Sequence, residues 1–524
     1  MLLHDSSRSK TITSKIAHML ALDYQPFSIV NDRGFRELIN FLEPRYSIPS
    51  RKHFSKTVVP KLYADTRGKV AESLQCELQT AQSFLWTLDM WTSRAQVPFI
   101  SLTAHYLNAE FCLQNRTLDC SHFPGEHTGA AIYEKICHLT ADWKISALLI
   151  SVPVYVVSDN ARNIKAALTG KPVEHLFCVA HTLQLAIDNA VTQVGMGKIL
   201  KKCRSIVGHY KQSSKASERL HSLQSKLGLP EHSLCQMVET RWDSVYIMLE
   251  RLQEQKESIS ADLPNTVKDS LTTQEWRLIE GYVTILKPLF LATKELCRED
   301  SPTISIVRPL LFSIEGYLKN YLSLHSGEYG SGVTLARELS KSLATRFQCI
   351  KEVQTYLLAS VLDPRFKCVV SESHEQLLAK KLIVVEAKKK AKLMDPQGNY
   401  RVHKPSANIS PQASTSAHDL WGCFEIKSVE TKPRIDQVDV VENEVETFLQ
   451  ESVINRTDDA LAWWKNNKTR FPRVAPVAQH YLGIPATSVA SERLFSKAGQ
   501  VVTVKRQNLS PKTIEKLVFL HDNL

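Results

Sequence analysis

The chain has 524 residues, 65 Lys and Arg against 54 Asp and Glu, a formal net charge of +11, and 43% hydrophobic residues. At roughly 100–200 residues per domain this length predicts about two to four folded units, and the apolar content excludes a wholly disordered chain. The basic excess suits a polyanionic partner without locating where it binds.

In chain order, Ile12, Ile16, Met19 and Leu20, then Phe35, Leu38, Ile39 and Leu42, recur at helical spacing, punctuated by Pro44, Pro49 and Pro60. Residues 1–80 therefore read as a helical region. The period changes at Ser83. Phe84 to Trp91 is an aromatic-rich strand, Pro98 to Leu107 a second with Ile100, Leu102, Ala104 and Tyr106 on one face, and Cys112 to Leu118 a third. A helix at Ala130 to Leu139 and a buried strand at Ala147 to Val157 follow, an α/β order with a mixed sheet. Asp159-Asn160 predicts a helix start, and a further helix carries Val179, Leu183, Ile187 and Ala190. From about 195 to 370 the period is helical. Residues 386–436, with Ala387-Lys388-Lys389-Lys390-Ala391-Lys392, Pro405 and Pro411, read as a disordered linker. Order resumes near Val438 and runs through Trp463-Trp464, which read as core, to the C-terminus.

The Ala147 to Val157 stretch is about half of what a bilayer span needs and Pro153 interrupts it, while Met1 to Arg8 holds no apolar signal core. The expectation is a protein without membrane partners. Eleven scattered cysteines with no C-x-x-C predict reduced thiols in an intracellular protein and no zinc finger in this chain.

Asp89 stands at the end of a strand on the face opposite Phe84, Trp86 and Leu88, and Asp159 directly follows a buried strand. Carboxylates at the ends of adjacent strands make a hard oxygen site suited to Mg²⁺, although both residues also serve as caps or turn formers. Cys178 and His181 form a C-x-x-H, too few ligands for zinc. Arg241-Trp242 opens a helix, either as a phosphate contact with a base-stacking ring or as a core Trp with Arg on its rim. Lys198, Lys201, Lys202, Arg204, Lys211 and Lys215 lie along one predicted helix and could track a phosphate backbone or simply be solvated. Lys388 to Lys392 fits a nuclear import signal or a plain charged surface. No P-loop, G-x-G-x-x-G, G-x-S-x-G or H-E-x-x-H occurs, which argues against ATPase, dinucleotide and common hydrolase chemistry.

The C-terminal stretch is more specific. Trp463-Trp464-Lys465, Phe471-Pro472, Tyr481-Leu482, Ile484-Pro485-Ala486-Thr487-Ser488-Val489-Ala490-Ser491-Glu492-Arg493-Leu494-Phe495-Ser496, Leu509-Ser510-Pro511 and Leu517 to Leu524 resemble the C-terminal dimerisation region of hAT-superfamily transposases and their domesticated BED-finger (ZBED-like) relatives. Upstream, Thr87-Leu88-Asp89-Met90-Trp91, His127-Thr128-Gly129, Ser158-Asp159-Asn160-Ala161-Arg162-Asn163, Cys178-Val179-Ala180-His181, Thr240-Arg241-Trp242 and Leu362-Asp363-Pro364-Arg365-Phe366-Lys367 resemble further elements of that family in the same order.

The resemblance implies an RNase H-like mixed-sheet core interrupted by a large helical insertion. Its divisions are 1–80 (N-terminal helical), 81–215 (first part of the core), 216–385 (insertion), 386–436 (linker) and 437–524 (dimerisation region with the last part of the core). It implies a catalytic and metal-binding triad of Asp89, Asp159 and Glu492, with Mg²⁺ or Mn²⁺ as cofactor and two ions about 3.5–4 Å apart flanking the phosphate. Arg241, Trp242, Lys198, Lys201, Lys202 and Arg204 become DNA-contacting candidates, with Trp242 stacking on a flipped base, and Cys178 and His181 shape the active-site neighbourhood. The expected protein is nuclear, binds DNA and forms a homodimer or higher homo-oligomer. Two functions stay open: a metal-dependent DNA transposase, or a catalytically silent domesticated protein acting with chromatin or transcription proteins. Leu494, Phe495, Leu517, Val518 and Leu520 form a packing surface, between subunits or within the core.

Overall fold

The computed structural model describes residues 6–93, 96–146, 150, 152–238, 241–262, 270–326, 330–394, 439–501 and 509–524. At its centre is a five-stranded sheet of β1 (Phe84–Thr92), β2 (Pro98–Leu107), β3 (Leu113–His122), β4 (Val154–Ser158) and β5 (Glu174–Phe177), in the order β3-β2-β1-β4-β5. The first three strands pair antiparallel, whereas β4 lies parallel to β1 and to β5. Every residue of β4 is buried, as expected of a parallel strand covered on both faces.

Alternation along β1 sends Phe84, Trp86 and Leu88 into a core with Ile132, Ile136 and Ile164 of the helices Gly129–Asp142 and Arg162–Leu168. Leu85 joins a second core with Tyr155, Val157 and the Val179, Leu183, Ile187 and Ala190 stripe of helix Val179–Gln193. That second core runs on into the helical layer. Its longest helix, Thr273–Leu296, starts on a capping box of Thr272 and Glu275 and buries Trp276, Ile279, Tyr282, Ile285, Leu286 and Leu289. Among the described residues no helix is long and apolar enough to cross a membrane.

Several sequence expectations need correction. β5 receives no bounds from the sequence beyond a strand-to-helix junction at Cys178: Glu174-His175-Leu176-Phe177 is too short to alternate convincingly and owes its extended form to pairing with β4. β3 continues to His122: the pairing with β2 shifts register at Leu118 and then resumes through Asp119, Cys120 and Ser121, which are buried although two of them are polar. The basic helix is two helices, Gly197–Gln212 and Ser214–Lys226, broken at Ser213, whose hydroxyl caps the second by accepting from the Ala216 amide, so Lys215 sits on a different axis from Lys198. Helix Ser373–Met394 extends through the first nine residues of the expected linker. Ala387 is buried, Lys390 is buried with its ammonium on Gln82, and Lys388 pairs with Asp439 and Glu442, so this lysine run is not a free basic tail. The rest of the expected linker, 395–436, lies outside the described residues.

Trp464 is fully buried, with its indole N–H donated to the Leu362 carbonyl at 2.9 Å and its ring against Phe111 and Phe448. The surface of Leu494, Phe495, Leu517, Val518 and Leu520 is consumed inside the chain. Helices Val489–Val501 and Pro511–Asn523 bury it against Ile16 and Leu20 of helix Ser7–Leu22, Phe54, and Phe99 of β2. Ile514→Val in this cluster is expected to cost about 1 kcal/mol by denaturant titration, with an unchanged sedimentation coefficient; a change in oligomeric state would contradict an intrachain role.

Candidate catalytic carboxylates

The register of the parallel pair puts Thr87 opposite Val157. Continued two residues past the paired segment, it sets Asp159, just after β4, alongside Asp89, which lies within β1 beyond its pairing with β4. Asp89 is largely buried, and its carboxyl is pushed up to about 7, first by desolvation, then by the charge of Asp159 and, more weakly, of Glu492. A hydrogen bond from the Met90 amide (2.8 Å) opposes the shift. Asp159 accepts the Ala161 amide at 3.1 Å, an Asx turn that leaves Ala161 as the cap of helix Arg162–Leu168.

Glu492 arrives from the far end of the chain on helix Val489–Val501, whose approach is held from several sides. The Val179 amide donates to the Ala486 carbonyl (2.9 Å), the Ala486 amide to Thr303 Oγ1 (2.9 Å), and the Ser488 amide to Cys178 Sγ (3.4 Å). Arg493 anchors the outer side through the Cys297 carbonyl and Glu299. Glu492 keeps an exposed edge, yet desolvation by the surrounding protein raises its carboxyl; Arg241 and His181 lower it, while Asp159 and Asp243 raise it. The three carboxylates are thus close enough to feel one another. Among the described residues, however, no group of three or more His, Cys, Asp and Glu side chains is gathered as metal ligands. Asp89 and Asp159 each turn one oxygen to a backbone amide instead. The donor set still fits a hard divalent cation, since all three groups are carboxylates and their mutual repulsion is what a cation would relieve.

Around the carboxylates, Cys178 is fully buried and its thiol pushed up by desolvation, serving as acceptor for the Glu492 segment. His181 is half-buried one turn on. Arg241 is exposed, reaches Ser496 of the Glu492 helix at 3.5 Å, and acts on Glu492 through its charge. Trp242 is a correction: it is 5% exposed, packed in the helical core, and presents no face to a flipped base. Thr240 lies outside the described residues. Lys198, Lys201 and Arg204 are exposed, whereas Lys202 is taken up by an ion pair with Glu275 at 2.8 Å. His127-Thr128-Gly129 and Asn163 form a structural junction. Thr128 caps helix Gly129–Asp142, Asn163 donates to the His127 carbonyl (3.2 Å), and a Cβ on Gly129 would meet Ala166 at 2.9 Å. Thr303 and Arg493, which hold the Glu492 segment, were missed because their partners are distant in sequence.

Residues 444–524 match the hAT family C-terminal dimerisation region, residues 87–202 the ZBED1 RNase-like domain, and residues 176–285 the ZBED1 RNase-like helical domain. The chain is ZBED-like and hAT-derived. It is 28% identical over 533 residues to human zinc finger BED domain-containing protein 4, covering 98% of this chain and 44% of that protein. It is 23% identical over 541 residues to the putative AC transposase of Zea mays (98% and 65%) and 25% identical over 522 residues to zinc finger BED domain-containing protein DAYSLEEPER of Arabidopsis thaliana (96% and 72%). The chain spans about half the length of the first of these relatives. In this ZBED-like, hAT-derived chain, Asp89, Asp159, Cys178 and His181 fall in the RNase-like match, Arg241 and Trp242 in the helical match, and Glu492 in the dimerisation region.

Proposed function

We propose that this ZBED-like, hAT-derived chain is a nuclear, self-associating DNA-acting protein built on an RNase H-like core. In this reading Asp89, Asp159 and Glu492 hold Mg²⁺ or Mn²⁺ for phosphodiester cleavage and strand transfer. The observation that carries the reading is the convergence of carboxylates from residues 89, 159 and 492, where the charge of Asp159 reaches both of the others and raises the proton affinity of Asp89 and of Glu492. The sheet order, with two of them on adjacent parallel strands just beyond their paired segment, supports it, and the dimerisation-region match supports self-association.

The chain's own residues divide the work. The three carboxylates would hold the cation, which when bound supplies charge neutralisation at the scissile phosphate. Arg241, exposed beside Glu492, would take a backbone phosphate. His181 acts with Arg241 to lower the Glu492 carboxyl. Lys198, Lys201 and Arg204 extend the basic surface along helix Gly197–Gln212 and give binding a salt-dependent component; Lys202 contributes less because Glu275 already neutralises it.

The test is nicking of duplex DNA carrying candidate element ends, with the full chain and Mg²⁺ or Mn²⁺. Metal-dependent nicks that Glu492→Gln reduces to background are expected. Nicks that persist in Glu492→Gln, or none with any end sequence from the protein's own genomic locus, would overturn cleavage. A second reading, a silent domesticated protein that dimerises and works with chromatin or transcription proteins, is favoured by one observation: the three carboxylates are not gathered as ligands. Self-association and chromatin retention without nicking would select it.

A further inference from the structure

The face of β1 turned toward the Glu492 helix reads Leu85, Thr87, Asp89, Trp91 by alternation, and Thr87 is fully buried between apolar neighbours. A hydroxyl in that position must be satisfied. Its Oγ1 lies 2.7 Å from the Ser491 hydroxyl on the Glu492 helix and bonds the Thr103 hydroxyl of β2. Thr103 Oγ1 is 2.7 Å from His105 Nε2, and His105 Nδ1 is 2.7 Å from Asn115 Oδ1 of β3. Ser491, Thr87, Thr103 and His105 are all at most 4% exposed; Asn115 alone reaches solvent.

The chemistry of the ends sets the direction of this chain. Asn115 Oδ1 only accepts, so His105 carries its proton on Nδ1 and offers the Nε2 lone pair. Thr103 then donates to His105, Thr87 donates to Thr103, and Ser491 donates to Thr87. Burial keeps the imidazole neutral, its pKa lowered to about 4, and so keeps the direction fixed at neutral pH. One turn further along the same helix, Phe495 stacks on Trp91 with ring centroids 5.6 Å apart. Apolar helix-on-sheet packing tolerates small slides and rotations; a hydroxyl chain fully satisfied at each link does not, because hydrogen-bond length and angle are confined to narrow ranges.

We propose that Thr87, Thr103 and His105 are positioning residues for Glu492: their one-way hydrogen-bond chain across three strands fixes Ser491, and with it the register of the neighbouring carboxylate against Asp89. The functional meaning rests on the reading of Glu492 as a catalytic ligand; the register itself does not.

The experiment compares full-chain wild type, Thr87→Val, Thr87→Ser and Ser491→Ala by amide hydrogen exchange and by Mn²⁺ titration. Thr87→Val and Ser491→Ala are expected to speed exchange of amides 492–499 by about tenfold, the equivalent of one lost buried hydrogen bond. Helix Thr273–Leu296 should be unaffected, and Thr87→Ser should restore wild-type rates. Mn²⁺ affinity should fall in the two chain-breaking variants and recover in Thr87→Ser. Wild-type exchange in Thr87→Val, or equal acceleration in both helices, would overturn the positioning role. If wild-type protein binds no Mn²⁺, the catalytic reading falls while the exchange data still decide whether the chain sets the register. Should Thr87→Val fail to fold, Ser491→Ala decides it alone.

Discussion

Asp363→Ala is expected to destabilise the protein by about 3–5 kcal/mol, because it strips the counter-charge from a buried ion pair. Asp363 is fully buried. Its carboxylate accepts from the Arg365 amide (3.0 Å), from the Arg365 guanidinium through two bonds (2.9 and 2.7 Å), and from the Ser305 hydroxyl (2.6 Å). The Arg365 side chain is only 9% exposed, so the alanine variant leaves it with little water to replace the lost partner. The same turn clasps the C-terminal region. The Pro364 carbonyl accepts the Ile454 amide (3.0 Å), and the Leu362 carbonyl accepts the Trp464 indole. Lys367, held at φ +42°, sends its ammonium to the Phe448 and Glu451 carbonyls at 2.7 and 2.6 Å, at the end of helix Val440–Gln450. Loss of the clasp therefore loosens the anchorage of residues 448–464 as well as lowering global stability. Urea denaturation measures the effect; a loss under about 1 kcal/mol, typical of a surface pair, would contradict the buried-clasp account.

Without metal, Asp89→Asn is expected to stabilise the fold at pH 8. Asp89 has a folded pKa of about 7 against an ordinary 3.8, so the native state holds a proton that the unfolded state releases. The resulting penalty is absent below the unfolded value, grows as pH rises, and is complete above about pH 7, on the order of 2–4 kcal/mol. Asparagine removes it. The variant should melt higher than wild type at pH 8 and level with it near pH 4. Mg²⁺ should raise the wild-type Tm at pH 8 by binding the native state and do much less for the variant. A variant less stable than wild type at pH 8 would mean that the carboxylate is held by favourable contacts and not by convergence with Asp159 and Glu492.

Much of the fold follows from local pattern. The alternation in Phe84 to Trp91 and in Pro98 to Leu107, and the helical stripe of Val179, Leu183, Ile187 and Ala190, are properties of nearest neighbours and were readable directly. So was the position of Asp159 just after a buried strand, whereas Asp89, read as a strand end, lies inside β1, which continues to Thr92. The bounds of β5 were not readable, since its four residues gain their extended form from a partner strand. Nor was Glu492 on spacing alone: 492 − 159 = 333 residues separate it from Asp159, and only the resemblance pointed to it. Arg241 and Trp242, adjacent in sequence, have opposite fates, one exposed beside Glu492 and the other sealed in the helical core. Lys202 and Lys201, equally basic on paper, differ because Glu275 of a distant helix meets only Lys202.

The sequence by itself determined the α/β core, the helical layer, the basic excess and the carboxylate that follows a buried strand, because periodicity, composition and chain order are local quantities. Only the tertiary structure decided which charges are spent in ion pairs and which aromatic is buried. It also decided that the apolar face of Leu494 and Leu517 closes on its own N-terminal helices, and that Thr87, Thr103 and His105 join into one line. Those outcomes depend on which distant segments meet, and a side chain's charge, exposure and hydrogen bonds are fixed by its neighbours in space.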